Sequence, residues 1–260
     1  MRISALKSSN SNILLNLKVE ISLLGMELPK ISIPAEKIFE VFGFPITNTF
    51  LLAFIIGGFL FFLFLFGLRK KRIIPDFFQN FVEWILETLF NYVDGITGDP
   101  KKTMEIFPLA SSLFIFILSA NLVEVLPGMG VFHFLRSPSS DLNFTFALAI
   151  SSMLIVEFYA VKNLGILHYL KRFLNFKNPI LFFVGILEAF SELTRVFSLA
   201  MRLFGNLIAG EVLLLITSFL FALFLPLPFL LLEIFVGFIQ ALIFSSLIVI
   251  FYVVSTQESE

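Results

Sequence analysis

Apolar residues fall in long blocks along this chain, and the polar breaks between them hold clusters of lysine and arginine. A membrane-crossing helix needs about 20 consecutive, mostly apolar residues. By that measure the pattern predicts a first span over 47–68, a second over 104–126 and a third over 142–161. An uninterrupted helix-compatible stretch follows over about 180–225, and a last helix over about 230–254. The stretch 75–93 differs. Phe77, Phe78, Phe81, Trp84, Ile85 and Leu89 recur at helical spacing while Asp76, Glu83 and Glu87 interrupt them, so it reads as an amphipathic helix lying at the membrane surface. Residues 1–46 read as a polar tail with a short surface helix near 35–42. The Ile13–Leu15 run is too short for the core of a secretion signal.

The 180–225 stretch is too long for one perpendicular crossing. At 1.5 Å per residue it would reach roughly 70 Å, against about 30 Å of hydrocarbon, so it must tilt steeply or lie partly along the membrane. Pro226 and Pro228 mark the turn that follows it. The expected fold is therefore all-α and integral to the membrane: about five membrane helices, one amphipathic interfacial helix, and a long tilted hairpin. Residues 47–255 form its single membrane domain, and 256–260 a short tail.

Composition supports this class. The chain of 260 residues is 58% hydrophobic, with a mean hydropathy of +0.98. The net charge of −1 gives nucleic-acid binding no electrostatic support. Cysteine is absent, which removes disulfides, thiol catalysis and Cys-ligated metals. His133 and His168 lack ligand-spaced partners, so no metal site or cofactor is expected. The 37 Phe residues read as lipid-facing bulk.

Basic residues set the orientation. Ten fall in the loops at one side (69 to 72, 101, 102, 162, 171, 172 and 177), and the single loop between spans at the other side carries only Arg136. The positive-inside rule puts the ten in the cytoplasm, the N-terminal tail outside and the C-terminus inside.

The charges inside the spans carry the chemistry. At 100° per residue, Glu188, Ser191, Arg195, Ser198, Asn206 and Ala209 all fall within about 40° of Arg202, and Glu211 falls opposite. Glu233 and Gln240, seven apart in the last helix, share a face with Gly237 between them. Each group has a structural reading beside the functional one. Arg195 could snorkel or pair with Glu192, Glu188 could belong to a solvated helix start, and Asn121, Glu124, Glu211 and Glu233 could serve helix packing. Arg202 is harder to assign to structure, because inserting a guanidinium at membrane depth costs about 2.5–3.5 kcal/mol.

At MRLFGNLIAGE the chain resembles subunit a of the bacterial-type F-type ATP synthase. ILEAFSELTRVFSLAMRLFGNLIAGEVLLLI, NLVEVLPG and LLEIFVGFIQALIFSSLIVIFYV all sit in that family's order and spacing, over most of 47–255. The resemblance implies a non-catalytic stator subunit of the bacterial plasma membrane that passes protons to and from a ring of c subunits. Its further partners would be the b-subunit peripheral stalk, other synthase subunits and membrane lipid. Arg202 would be the essential stator arginine, with Asn206 and Ala209 facing the ring. Glu211, Glu233, Gln240, Asn121 and Glu124 would line an outer half-channel. Glu188, Ser191, Thr194 and Ser198 would line an inner one. The alternative is a self-contained proton-coupled carrier, which predicts an internal repeat and broken helices; the sequence has no sustained repeat.

Overall fold

The structure is a computed structural model that describes residues 37–41, 44–67, 76–126, 136–166, 169, 179–220 and 224–256. Most of the tail (1–36), the basic run 69–72, His133, His168 and Lys171, Arg172 and Lys177 lie outside the described residues. Among the described residues are six long helices: α1 (Asn48–Gly67), α2 (Phe77–Thr97), α3 (Pro100–Glu124), α4 (Leu142–Leu164), α5 (Pro179–Leu220) and α6 (Pro226–Ser255). Five of them, all but α2, are long and apolar enough to cross a membrane.

The helix ends follow from local sequence. Asp99 caps α3 by accepting the Lys101 backbone N–H at 2.9 Å, and Pro100 occupies the first helical position, where its missing N–H costs nothing. Asp141 caps α4 through the Asn143 N–H at 2.9 Å. It also accepts the Thr49 hydroxyl at 3.0 Å, which ties α1 to the start of α4. Helix α2 ends at Gly98, whose φ of 65° is the left-handed conformation that glycine adopts without strain. Pro226 and Pro228 lie within the first turn of α6 and start that helix, so the turn they were expected to form ends just before them.

The N-terminal expectation is overturned. Lys37–Val41 forms strand β1, paired antiparallel with β2 (Phe44–Thr47) and not a surface helix. Ile38, Phe39, Val41 and Ile46 are β-branched or aromatic, and in so short a segment ladder pairing outweighs any helical period.

The core lies where α3, α4, α5 and α6 meet. Ile106, Ala110, Ile117, Ala149, Val156, Leu199, Ala200, Ala241, Phe244 and Ile248 are all buried there. The most extensive helix contact joins α3 to α6, with the Ser245 hydroxyl donating to the Ala110 carbonyl at 2.8 Å. Lipid is as apolar as leucine, so close backbone approach and hydrogen bonds of this kind hold such an interface. At one end, Glu105 of α3 accepts from Lys162 (2.7 Å), Asn163 (3.0 Å) and Tyr252 (2.7 Å), tying α3, α4 and α6 together. Helix α1 packs on α3 through Leu52, Ile56 and Ala120 and exposes Phe54, Phe59 and Phe61. Helix α2 is amphipathic as expected and runs four residues further than 93. It buries Val82 and Val93, exposes Phe77, Phe81 and Trp84, and joins Ser246 of α6 through the Tyr92 hydroxyl at 2.9 Å.

Helix α5 has 42 residues, which makes it about 63 Å long at 1.5 Å per residue. Only a tilted or partly in-plane course fits that length to a bilayer.

Candidate functional site

Helix α5 meets the core through Leu199, Ala200, Leu203 and Leu207, all buried. That seam centres about 110° around the helix from Arg202, and Glu211 lies about 70° beyond it. Arg202 and Glu211 therefore flank one contact seam on opposite sides. The helical period alone separates them.

On the Arg202 flank the surface is open. Ser191, Ser198, Asn206 and Ala209 are exposed, and Arg202 is half-buried. Its Nη2 donates to the Ser198 hydroxyl at 3.5 Å. Among the described residues no carboxylate lies within 4.0 Å of the guanidinium. A Cβ added at Gly205 would meet nothing within 4 Å. One turn before Ser198, Arg195 lies over the Phe251 ring at 4.9 Å. Glu188, Ser191, Thr194 and Ser198 are strung along about 15 Å of α5. The Thr194 hydroxyl turns back to the Phe190 carbonyl at 2.8 Å, so the structure does not gather these four into one pocket.

At the seam itself polar groups converge. Asn121, Asn206, Glu233 and Gln240 line a cavity of about 20 Å³ with Leu203, Leu207, Val236 and Gly237. About 10–15 Å³ of such space is enough for one water molecule. Asn121 Nδ2 donates to the Gly237 carbonyl at 3.2 Å, and its Oδ1 accepts from Ser139 at 3.2 Å. Asn206 Nδ2 donates to Gln240 Oε1 at 2.7 Å, which links the Arg202 stripe to the cavity. Glu233 packs against Gly210 so closely that a Cβ there would sit 2.6 Å from its Oε1. Glu211 pairs with Arg136 at 3.6 Å. Glu124, Glu211 and Glu233 are close enough to feel one another's charge.

Several of these polar atoms are buried without a protein hydrogen-bond partner: Glu124 Oε2, both Glu233 oxygens and Gln240 Nε2. Buried polar groups are otherwise almost always satisfied, so a cluster of exceptions fits a hydrated polar site better than a dry packing contact.

A model of the ATP synthase A chain family matches residues 49–253, which takes in nearly all of the six helices, the cavity and Arg202. The chain belongs to the ATP synthase A chain family. Curated relatives agree. ATP synthase subunit a of Moorella thermoacetica is 35% identical over 179 residues, covering 69% of this chain and 77% of that protein. The subunit a of Trichlorobacter lovleyi is 34% identical over 74% of this chain and 79% of its own length. That of Legionella pneumophila strain Philadelphia 1 is 32% identical over 85% and 92%. An ATP synthase A chain with five apolar helices of spanning length is a multi-pass component of the synthase's membrane sector.

Two residues that contact the A chain's candidate polar groups carried no functional expectation from sequence. Ser139, in the 3₁₀ turn Pro138–Ser140, hydrogen-bonds to Asn121, and Arg136 reaches Glu211. Arg136 had one visible signal: it is the single basic residue in its loop. Nothing local in SPSS marks Ser139.

Proposed function

We propose that this chain is the stator half of the proton path in a rotary F-type ATP synthase, non-catalytic in itself, and that it works against a ring of c subunits. The reading rests chiefly on one observation. Arg202 has no carboxylate partner of its own among the described residues, and it shares an open face of α5 with Ser198, Asn206 and Ala209. A permanent charge held at membrane depth and left unpaired by its own chain is offered to a partner. The rival in which Arg202 merely ties helices together requires an internal ion pair.

The chemistry follows from the cost of charge in lipid. A ring carboxylate must be neutral while it faces hydrocarbon. At the stator it loses its proton to one side and gains another from the other side. Arg202 stabilises the ionised carboxylate between those events and, as a fixed cation, repels protons that would leak straight through. Each charge driven by the membrane potential is worth about 2.3 kcal/mol per 100 mV, and a leak would dissipate it without turning the ring.

The outer half-channel is assigned to Glu124, Asn121, Glu211, Glu233 and Gln240, with protons handed along carboxylates and cavity water. Asn206 joins it to the ring face. The inner half-channel is assigned to Glu188, Ser191, Thr194 and Ser198, which would border a path completed by the ring. The N-terminus lies outside and the C-terminus in the cytoplasm, by the loop charges. The b-subunit stalk and other synthase subunits complete the complex.

The absence of cysteine makes the test clean. Single cysteines at Ser198, Asn206 and Ala209 should form disulfides with a cysteine placed near the c-subunit carboxylate in assembled membranes. Cysteine at buried Leu199 should not. Equal cross-linking from both faces, or none from the Arg202 face, removes the assignment.

A further inference from the structure

Arg136 does more than mark topology. Its Nε donates to the Ser140 hydroxyl at 3.0 Å, and Ser140 in turn donates to the Ser137 carbonyl at 2.8 Å, so the guanidinium is anchored to a buried 3₁₀ turn. From that anchor Nη2 lies 3.6 Å from Glu211 Oε2, with the Arg136 side chain 12% exposed and that of Glu211 37% exposed. The pair joins residues 75 apart in sequence, across the loop and α5. Glu124 lies within electrostatic reach of the same guanidinium. Among the described residues Glu211 alone of the three carboxylates has a cation at ion-pair distance. Glu233 instead packs against Gly210 and lines the cavity, and both its oxygens, like Glu211 Oε2, are buried without a hydrogen-bond partner.

We infer that Arg136 is a positioning residue of the outer proton path: anchored on the Pro138–Ser140 turn, it holds Glu211 on the outward flank of α5 and leaves Glu233 as the carboxylate that passes protons inward. The division of labour follows from elementary electrostatics. A carboxylate held by an anchored guanidinium keeps one position on the outward flank, where it can draw protons in. A carboxylate that lines a cavity large enough for water, with no cation at ion-pair distance, has its oxygens placed to exchange protons with that water. The inference rests on the half-channel reading above and deepens it by ordering two acids that the sequence leaves equivalent.

The test is passive proton flux through membrane vesicles carrying the assembled complex stripped of its soluble sector. R136Q should lower flux about tenfold, the scale expected for breaking one partly buried ion pair, while R136K retains most of it. Because Arg136 acts through Glu211, R136Q combined with E211Q should match E211Q alone to within about twofold. Additive losses in the double variant, or wild-type flux in R136Q, would overturn the inference. If R136Q fails to assemble, S140A decides, since it removes only the anchor: a loss of flux that vanishes in the E211Q background supports the inference, and wild-type flux overturns it. Wild-type flux in E211Q defeats the half-channel reading itself, whereas reduced flux in E211Q with an additive R136Q loss defeats this inference alone.

Discussion

Gly210→Ala probes the geometry of the cavity with a single methyl group. The new Cβ would sit 2.6 Å from Glu233 Oε1 and 3.3 Å from its Cδ, against an ordinary contact of at least 3.4 Å, so the carboxylate must retreat by about 0.8 Å. That atom is the far end of a flexible side chain, so the retreat is made by side-chain rotation and the α5–α6 packing survives. Alanine is also the better helix former by about 0.8–1.0 kcal/mol, so α5 itself is not weakened. The damage should therefore fall on proton transfer. Displacing a reacting group by 1 Å costs up to about 100-fold, and a carboxylate that recovers part of its reach should lose about tenfold. The assay is proton flux driven by a pH step across stripped vesicles, with assembled complex quantified on native gels. Gly95→Ala, which meets nothing within 4 Å, is the control. Wild-type flux at normal assembly would mean that the position of Glu233 beside Gly210 is irrelevant to conduction.

Gly237→Ala should behave oppositely. Its Cβ would lie 3.0 Å from the Asn121 Cβ, an atom fixed to backbone, so α3 and α6 must separate and assembly should drop, by about 1–3 kcal/mol of stability measured as thermal aggregation in detergent. Glu211→Gln and Glu233→Gln should each slow passive flux, with Glu233→Gln the more severe and the double variant slower than either, read in the same vesicles. Tyr252→Phe removes a buried donor to Glu105 and should lower thermal stability by about 2 kcal/mol while leaving flux per assembled complex unchanged.

What could be read from the sequence depended on how local each cause was. The five apolar helices and the amphipathic α2 are written in composition and period, and the structure returns them to within a few residues. Arg202 and Glu211 could be placed on opposite sides of α5 because the helical period fixes their angle without reference to any other element. The grouping of Glu233 with Gln240 follows from the same rule. What could not be read arises between elements. The Arg136–Glu211 pair and the Ser139–Asn121 hydrogen bond join segments with no shared period. The knot at Glu105 draws partners from α4 and α6, and nothing within PKKTMEIF announces them. The β1–β2 pair was missed because Ile38 and Phe39 fit a helix face as well as a strand over so few residues. Close approaches such as Gly210 to Glu233 depend on interhelical distance, to which the sequence offers only the small residue as a hint.

The proposed role of Arg202 is to serve a partner's carboxylate and not the packing of its own chain. ATP synthesis by membrane vesicles energised with an imposed proton gradient tests it directly in Arg202→Ala. The complex, ring and soluble sector included, should assemble at wild-type levels while proton-driven synthesis is abolished. Substantial synthesis from normally assembled Arg202→Ala complexes would contradict it.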